Sequence, residues 1–397
     1  MIFILFYNQG NNEKNNIGKV MKISLSRKKF LRYLFRFNAG LALYNKFLLP
    51  QTIPASGYSG QIQAEHWESL SDNKIRCLLC PNKCILSPGQ NGLCYSRGNR
   101  NGVHYSLVYG LPAIIAQDTI EKSPLYHFYP GISAFSIATS GCNLSCQFCQ
   151  NWQYSQTGPE NVKNFILSPE EVIKKAKKFS IQSINFFYTE PTIYFEYVKA
   201  IARLAKKEKL KTVCVTAGYI NDKPLGELIE LIDAFVFGLK GFDENFYQKY
   251  IGCGLEHIKR SLKQLAESKN RIWFEIVNLL VPTLNDNMST VTEMCSWLAE
   301  EVGVNVPLHF TRFEPKHILS ELPPTPISTI KKAYSIAKSA GIKHVYIGNL
   351  PGHDESNTMC PGCGKTVIER LNFSIIKNIV KRGKCPFCQY QIEGVWV

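Results

Sequence analysis

The residues best equipped for chemistry sit in the stretch 140–152, SGCNLSCQFCQNW, where Cys142, Cys146 and Cys149 fall within eight positions and no fourth cysteine follows nearby. Three thiolates are one short of what a closed metal site takes. A structural zinc is enclosed by four ligands, and a [4Fe–4S] cube has four irons to hold. Three ligands on such a cube leave one iron open to a small molecule. The alternative within the chain is a zinc bound by these three cysteines and a distant histidine, His127 being the nearest.

Two further groups of cysteines flank this one. Cys77, Cys80, Cys84 and Cys94 lie in CLLCPNKCILSPGQNGLC, enough thiolates to close a zinc site or to hold an auxiliary iron–sulfur cluster. The spacing departs from the bacterial ferredoxin run and leans toward zinc. Near the end, Cys360-Pro-Gly-Cys363 and Cys385-Pro-Phe-Cys388 form two CxxC knuckles, the pattern of a zinc ribbon with structural Zn²⁺. Gly362 and Gly364 suit the tight turn that lets backbone amides face the sulfurs. Of the 14 cysteines, only Cys214, Cys253 and Cys295 stand outside these groups. Clustering at metal-ligand spacing argues for a reducing compartment rather than a disulfide framework.

The elements that must position these ligands alternate along the chain. β-rich runs occur at 135–139, 183–189, 211–217, 234–240, 271–281, 304–310 and 343–348, with helix-like stretches at 168 onward, 192–207, 256–268, 288–301 and 327–339. In SPEEV, Ser168 caps, Pro169 takes the first turn and Glu171 completes a capping box. Such alternation predicts a parallel sheet with helices outside it, closed or partly closed into a barrel whose chemistry gathers at the carboxyl ends of the strands. SGCNLSC begins where the first run ends, so its cysteines belong at the mouth. His309 and Arg312 follow the sixth run and are placed at the mouth as candidate substrate-orienting groups; a buried histidine satisfied by a neighbouring acid is the alternative for His309. Asn285 and Asp286 after Pro282 read as a turn.

Composition bounds the rest. The 397 residues are 45% apolar and 19% charged, which permits a sizeable core. The net charge of +15 is concentrated: residues 1–50 contribute +8, and the lysine runs at 174–178 and 205–211 read as solvated helix faces. This argues against nucleic-acid binding. Residues 26–32, SRKKFLR, are similar to a degenerate twin-arginine leader, with Lys28 in place of the second arginine. Arg36, Asn38 and Lys46 interrupt the apolar stretch that follows, so no spanning helix is expected. Met21 is a second candidate start. The reading is a cytoplasmic protein, with export left open by the leader.

Cys142-x3-Cys146-x2-Cys149, with the aromatic Phe148 before the last cysteine, resembles the signature of the radical S-adenosylmethionine (SAM) superfamily. The resemblance implies a [4Fe–4S] cluster whose open iron chelates SAM. It also implies one-electron cleavage to methionine and a 5′-deoxyadenosyl radical that abstracts hydrogen from a substrate. It puts Phe148 near the adenine and Glu190, in YTEP (188–191), on the SAM amino group; the plain alternatives are a core aromatic and a helix start. KSPLYHFYPG (122–131), YTEPTIYFEY (188–197), VPTLND (281–286), VPLHFTRFEP (306–315) and VYIGN with PGH (345–353) appear in order. Together they resemble the radical-SAM protein of the AmmeMemoRadiSam system, a relative of glycyl-radical-enzyme and pyruvate formate-lyase activating enzymes. That likeness implies Memo-like and Ammecr-like partner proteins and a flavodoxin or ferredoxin reductant. Two positions depart from the pattern: Ala217 replaces an asparagine and Gly238 an aspartate.

The expected organisation is a leader at 1–55 and a cysteine-rich metal-binding module at 56–110, then a partial (β/α)6 TIM-like radical-SAM barrel at 111–354 and a zinc-ribbon-like module at 355–397. The expected function is adenosyl-radical chemistry on a substrate the residues do not specify. One alternative is an activase raising a glycyl radical on a partner protein. The other, of a different class, is a non-catalytic zinc-ribbon binding protein on a barrel scaffold.

Overall fold

A computed structural model describes residues 60–350 and 352–396; the leader and the choice between Met1 and Met21 lie outside them. An eight-stranded sheet runs in sequence order: β1 (Ile114–Thr119), β2 (Ser133–Ala138), β3 (Ser183–Phe186), β4 (Lys211–Thr216), β5 (Ala234–Gly238), β6 (Trp273–Leu280), β7 (Leu308–Arg312) and β8 (Val345–Gly348). β1 pairs antiparallel with β2, and β2 through β8 are parallel. Six helices fall between successive parallel strands: α1 (Pro169–Lys178), α2 (Phe195–Lys207), α3 (Asp222–Ile229), α4 (Leu255–Glu267), α5 (Met288–Trp297) and α6 (Ile327–Ser339). The result is a mixed α/β architecture with a partial (β/α)6 arrangement.

The helices form where the sequence caps them. Ser168 accepts from the Glu171 amide while Glu171 accepts from the Ser168 amide, with Pro169 in the first turn. On α1, Val172, Ile173 and Ala176 face inward while Lys174, Lys177 and Lys178 are solvated, as expected for that lysine run. One face of the sheet, carrying Ile184, Phe186, Cys214, Phe235, Phe237, Phe274, Ile276, Leu308 and Phe310, packs on these helices. The alternate face carries Val213, Ala234 and Val236, which meet Ile120, Leu125, Phe128 and Ile132. The segment 120–132 therefore fills the interior at the amino-terminal end of the strands, and the carboxyl end is left for the site.

Two small modules flank the sheet. Upstream, Ile62–Gln63, Val103–Ser106 and Arg97–Arg100 form one three-stranded sheet; Trp67–Ser69, Ile75–Cys77 and Ile85–Leu86 form another. They dock on α2 through ions taken out of water. The Arg97 guanidinium donates to both oxygens of Glu196 at 2.8 and 2.7 Å, and the Lys199 ammonium donates to Glu65 and Glu227, each at 2.5 Å. Downstream, Thr358–Met359, Thr366–Leu371 and Ser374–Asn378 form a third small sheet.

The sixth run is corrected. The strand covers Leu308–Arg312 rather than 304–310, because Leu298–Gly303 continues α5 as a π-helical turn and Pro307, which has no N–H, precedes the ladder.

Candidate functional site

The loop after β2 carries Cys142, Cys146 and Cys149 to the carboxyl end of the parallel strands. Gly141 makes the turn, with φ +91°; a Cβ there would collide with the Cys94 carbonyl and the Ser96 hydroxyl. The Ser145 and Gln147 amides donate to the Ile251 and Tyr250 carbonyls, both at 2.9 Å, at the end of a π-helical turn, Tyr247–Ile251. With the intervening residues anchored outward, the Cys146 and Cys149 thiols lie close enough to Cys142 to raise its pKa. Burial pushes Cys142 well above the ordinary thiol value, with the Glu190 carboxylate adding to it. Burial pushes Cys146 up to about 12, opposed by the Lys240 ammonium. Such thiols ionise only when a cationic centre replaces the lost hydration. The Ser155 hydroxyl lies 3.2 Å from the Cys149 sulfur.

Glu190, 4% exposed, follows β3. Its Oε1 accepts from the Thr192 amide (3.2 Å), the Thr192 hydroxyl (2.8 Å) and the Thr216 hydroxyl (2.6 Å); its Oε2 accepts from the Ala217 amide (2.9 Å). A carboxylate oxygen accepts about two strong bonds, so Oε2 retains room for one more donor. The Ala217 departure removes a side chain but not this backbone donor. Gly218, at φ +74°, packs under the Phe237 ring, where a Cβ would not fit. Gly238 leaves the room that the Lys240 ammonium occupies: an added Cβ would lie 3.1 Å from Nζ. Phe148 is buried and stacked on Phe246, ring centroids 6.2 Å apart.

Two histidines weighed for the site lie away from it, while Arg312 ends β7 at the carboxyl side expected of it. His309, at the start of β7, is 2% exposed and 2.7 Å from Glu275 Oε2, so it lies at the end opposite the mouth as a satisfied buried histidine. Glu275 also accepts from the Tyr126 and His127 amides. His127 has both ring nitrogens engaged, with the Glu393 carbonyl and the Tyr346 hydroxyl, and is no ligand for the cysteine loop. Arg312 donates to the Thr325 carbonyl. Asn285 and Asp286 accept from the Val281 and Thr283 amides, the turn expected of them.

Among the described residues, two sets of metal-ligating side chains have all their ligand atoms within 4.8 Å of one another. One is Cys360, Cys363, Cys385 and Cys388, a group able to bind a metal ion. The Gly362 and Cys363 amides face the Cys360 sulfur, and those of Phe387 and Cys388 face Cys385. Gly364 has the expected positive φ (+69°), whereas Gly362 is small for another reason: its Cβ would lie 2.8 Å from the Tyr390 ring. The other set, Glu65, His66 and Glu227, already surrounds the Lys199 ammonium.

Residues that sequence reasoning passed over complete the site. Cys253, one of the scattered cysteines, is buried near Cys146, and Lys240 faces the same thiol. Asn143, inside the loop, reaches the Cys80 sulfur and donates to the Tyr219 carbonyl at 2.7 Å. Only its position between two ligands singles it out in the sequence.

A parallel α/β sheet with a three-cysteine loop at the mouth defines a class, and the matching family model falls on it. The family model described as the radical SAM superfamily matches residues 136–298. An uncharacterised protein of Methanocaldococcus jannaschii is 41% identical over 335 residues, covering 84% of this chain and 99% of that protein. The pyruvate formate-lyase-activating enzyme of Staphylococcus epidermidis is 22% identical over 174 residues, covering 42% of this chain and 68% of that enzyme. A solved radical SAM methyltransferase from Sphaerobacter thermophilus aligns with a TM-score of 0.46 at 13% identity, over 81% of this chain and 89% of that one.

The chain belongs to the radical SAM superfamily and is a radical SAM enzyme similar to glycyl-radical-enzyme activating enzymes. Membership implies a [4Fe–4S] cluster and SAM. No helix among the described residues is long and apolar enough to cross a membrane.

Proposed function

We propose that Cys142, Cys146 and Cys149 hold the catalytic [4Fe–4S] cluster with one iron open, and that Glu190 helps bind SAM there. The observation that carries this reading is the loop itself: three thiols gathered at the strand ends, on a backbone tethered at the residues between them. Once bound, cluster and SAM together supply a one-electron cleavage that yields a 5′-deoxyadenosyl radical.

The chain's own residues do the positioning. Glu190, fixed by two threonine hydroxyls and two amides, offers its remaining acceptor site on Oε2 to the SAM ammonium. Lys240 sets a positive charge beside Cys146 and so favours the more negative, reduced state of the metal centre. Phe148, stacked on Phe246, stiffens the loop before Cys149. The motif series quoted above supports a place in an AmmeMemoRadiSam-type system, with Memo-like and Ammecr-like partners and a flavodoxin or ferredoxin donor. Clustered thiols support a cytoplasmic location, and the tight C-terminal quartet supports zinc. The quartet and the two small flanking sheets support a four-part division at 1–55, 56–110, 111–354 and 355–397. A second reading, an activase acting on a partner protein, is favoured by the similarity to pyruvate formate-lyase-activating enzyme.

Anaerobic reconstitution followed by SAM cleavage tests the assignment. Cys146→Ala is expected to lose 5′-deoxyadenosine formation, and Cys253→Ser to retain both the cluster and the activity. Glu190→Gln presents an amide donor to an existing donor and is expected to weaken SAM binding about tenfold or more. A Cys253→Ser protein that loses its iron, or a Cys146→Ala protein that still cleaves SAM, refutes it.

A further inference from the structure

We propose that Cys77, Cys80, Cys84 and Cys94 hold a second [4Fe–4S] cluster, fully ligated and placed against the catalytic loop, rather than the zinc toward which their spacing leans. The comparison that leads there rests on the reading of Cys142, Cys146 and Cys149 given above. Three cysteine groups in one molecule provide internal standards. Four thiolates on one zinc, with Zn–S near 2.3 Å, must lie about 3.8 Å apart. The C-terminal group meets that demand, with Cys360 and Cys388 sulfurs at 3.5 Å and Cys363 and Cys385 at 3.8 Å. In the N-terminal group no three sulfurs lie within 4.8 Å of one another, and the same holds for the loop Cys142–Cys149. A cube of four irons takes its thiolates at separate corners and sets them wider than a single ion does. Neither the N-terminal quartet nor the three-cysteine loop has the compactness of the zinc-like set.

The surroundings agree. All four cysteines line one enclosed cavity with Asn143, Arg97 and His104. Gly92 lies between two of them: a Cβ there would sit in ordinary contact, 3.8 Å from both the Cys84 and Cys94 sulfurs. Arg97 is 2% exposed, and its Nε–H has no partner; His104 Nε2 is likewise buried and unpartnered. A lone zinc with four thiolates offers Arg97 only sulfurs drawn in around the ion. A cube adds sulfides and a larger negative charge for the guanidinium to face. The site also touches the first: the Asn143 side chain reaches the Cys80 sulfur, and its own residue adjoins Cys142. With four protein ligands this cluster has no open iron, so it exchanges electrons and does not bind SAM.

Metal analysis with spectroscopy of the full chain decides it. Protein purified anaerobically from iron-supplied cells is expected to hold about eight irons and one zinc, two four-iron cubes and the ribbon ion. The variant Cys142→Ala/Cys146→Ala/Cys149→Ala should keep about four irons. On dithionite reduction it should show a [4Fe–4S]⁺ electron paramagnetic resonance signal that added SAM leaves unchanged. Wild-type protein with about four irons and two zincs overturns the proposal, as does a folded triple variant devoid of iron. A triple variant that keeps all the wild-type iron refutes the catalytic assignment instead. The wild-type count stands even where the variant fails to fold.

Discussion

Gly141 is the residue at which the three-cysteine loop is most exposed to a single atom. Its φ of +91° is a conformation that costs an L-residue about 1–2 kcal/mol. In Gly141→Ala the new Cβ also falls inside contact distance of two groups. The Ser96 hydroxyl can rotate away, but the Cys94 carbonyl is backbone and cannot. Overpacking of that kind costs a further 1–3 kcal/mol or so. Gly303 supplies the control: its φ is +114° and nothing lies within 4 Å of an added Cβ, so Gly303→Ala isolates the backbone term. Gly252, at φ +82°, is intermediate, since its Cβ would meet only the rotatable Ser145 hydroxyl. The expected losses are about 2–5 kcal/mol for Gly141→Ala and about 1–2 for Gly303→Ala. For a chain of this size 1 kcal/mol moves Tm by no more than about 2 °C, so the drops are at most about 4–10 °C against about 2–4 °C. Thermal melts of metal-free protein read these differences without interference from cluster loading. Iron content after reconstitution then reports the displacement of Cys142, and only Gly141→Ala should lower it. Equal destabilisation by the two substitutions would refute the packing of the three-cysteine loop on the upstream module.

Two other perturbations follow from the same geometry. Glu121 is 1% exposed, gives one oxygen to the Gly131 amide at 2.8 Å and leaves the other without a partner, and burial lifts its pKa from 4.5 to about 7. The folded state thus keeps a proton that the unfolded state releases between pH 4.5 and 7. Stability falls as pH rises through that window, and the loss, about 3 kcal/mol, is complete above 7. Glu121→Gln retains the acceptor for Gly131 and should raise stability by up to that amount at pH 8, with no gain at pH 4; melts showing a pH-independent difference would exclude this. Chelation should open the C-terminal module first, because its apolar core is little more than Val367, Ile368 and Ile392, whereas a four-thiolate zinc is worth about 10–16 kcal/mol. Proteolysis confined to residues 355–396 after metal removal is expected, and unchanged protection there would contradict it.

Much of the barrel was legible because parallel strands buried on both faces read as unbroken β-branched and aromatic runs. SINFF and AFVFG need no alternation to be recognised. All seven runs overlap a parallel strand. What such a run conceals is where it starts and stops. Extending the sixth run upstream to 304 placed His309 near its carboxyl end, by the mouth; the strand begins at Leu308, so the same residue enters at the opposite end and pairs with Glu275. β1 was not legible, since IIAQDT mixes apolar and polar residues and takes its place from pairing with β2. Nor was the eight-residue α3. The cysteine spacings showed three metal-ligand groups but not their breadth, which depends on how far apart turns distant in sequence hold their sulfurs. Asn143, Lys240 and Cys253 act through such long-range neighbours, and no local pattern marks them.

The loop itself has too few residues to make a core, and its order is borrowed from both sides. A helix ends with carbonyls that have no partner of their own. Here the π-helical turn Tyr247–Ile251, closed by Gly252 at positive φ, presents its Tyr250 and Ile251 carbonyls to the Gln147 and Ser145 amides. From the other flank, Asn82 donates to the Asn143 carbonyl at 3.2 Å, and the Ile318 amide donates to the Gln147 carbonyl at 3.1 Å. Each anchored residue lies between two cysteines, so the tethers fix the backbone while leaving the sulfurs free to converge. The ion pairs of Arg97 and Lys199 serve the same end at larger scale. They are costly to bury, but once formed they hold the upstream module in one register on α2, and with it the Cys94 carbonyl against which Gly141 turns. The placement of the three thiols thus depends on residues more than 40 positions upstream and 100 downstream, which is why three cysteines within eight positions are a signature in sequence and a site only in the fold.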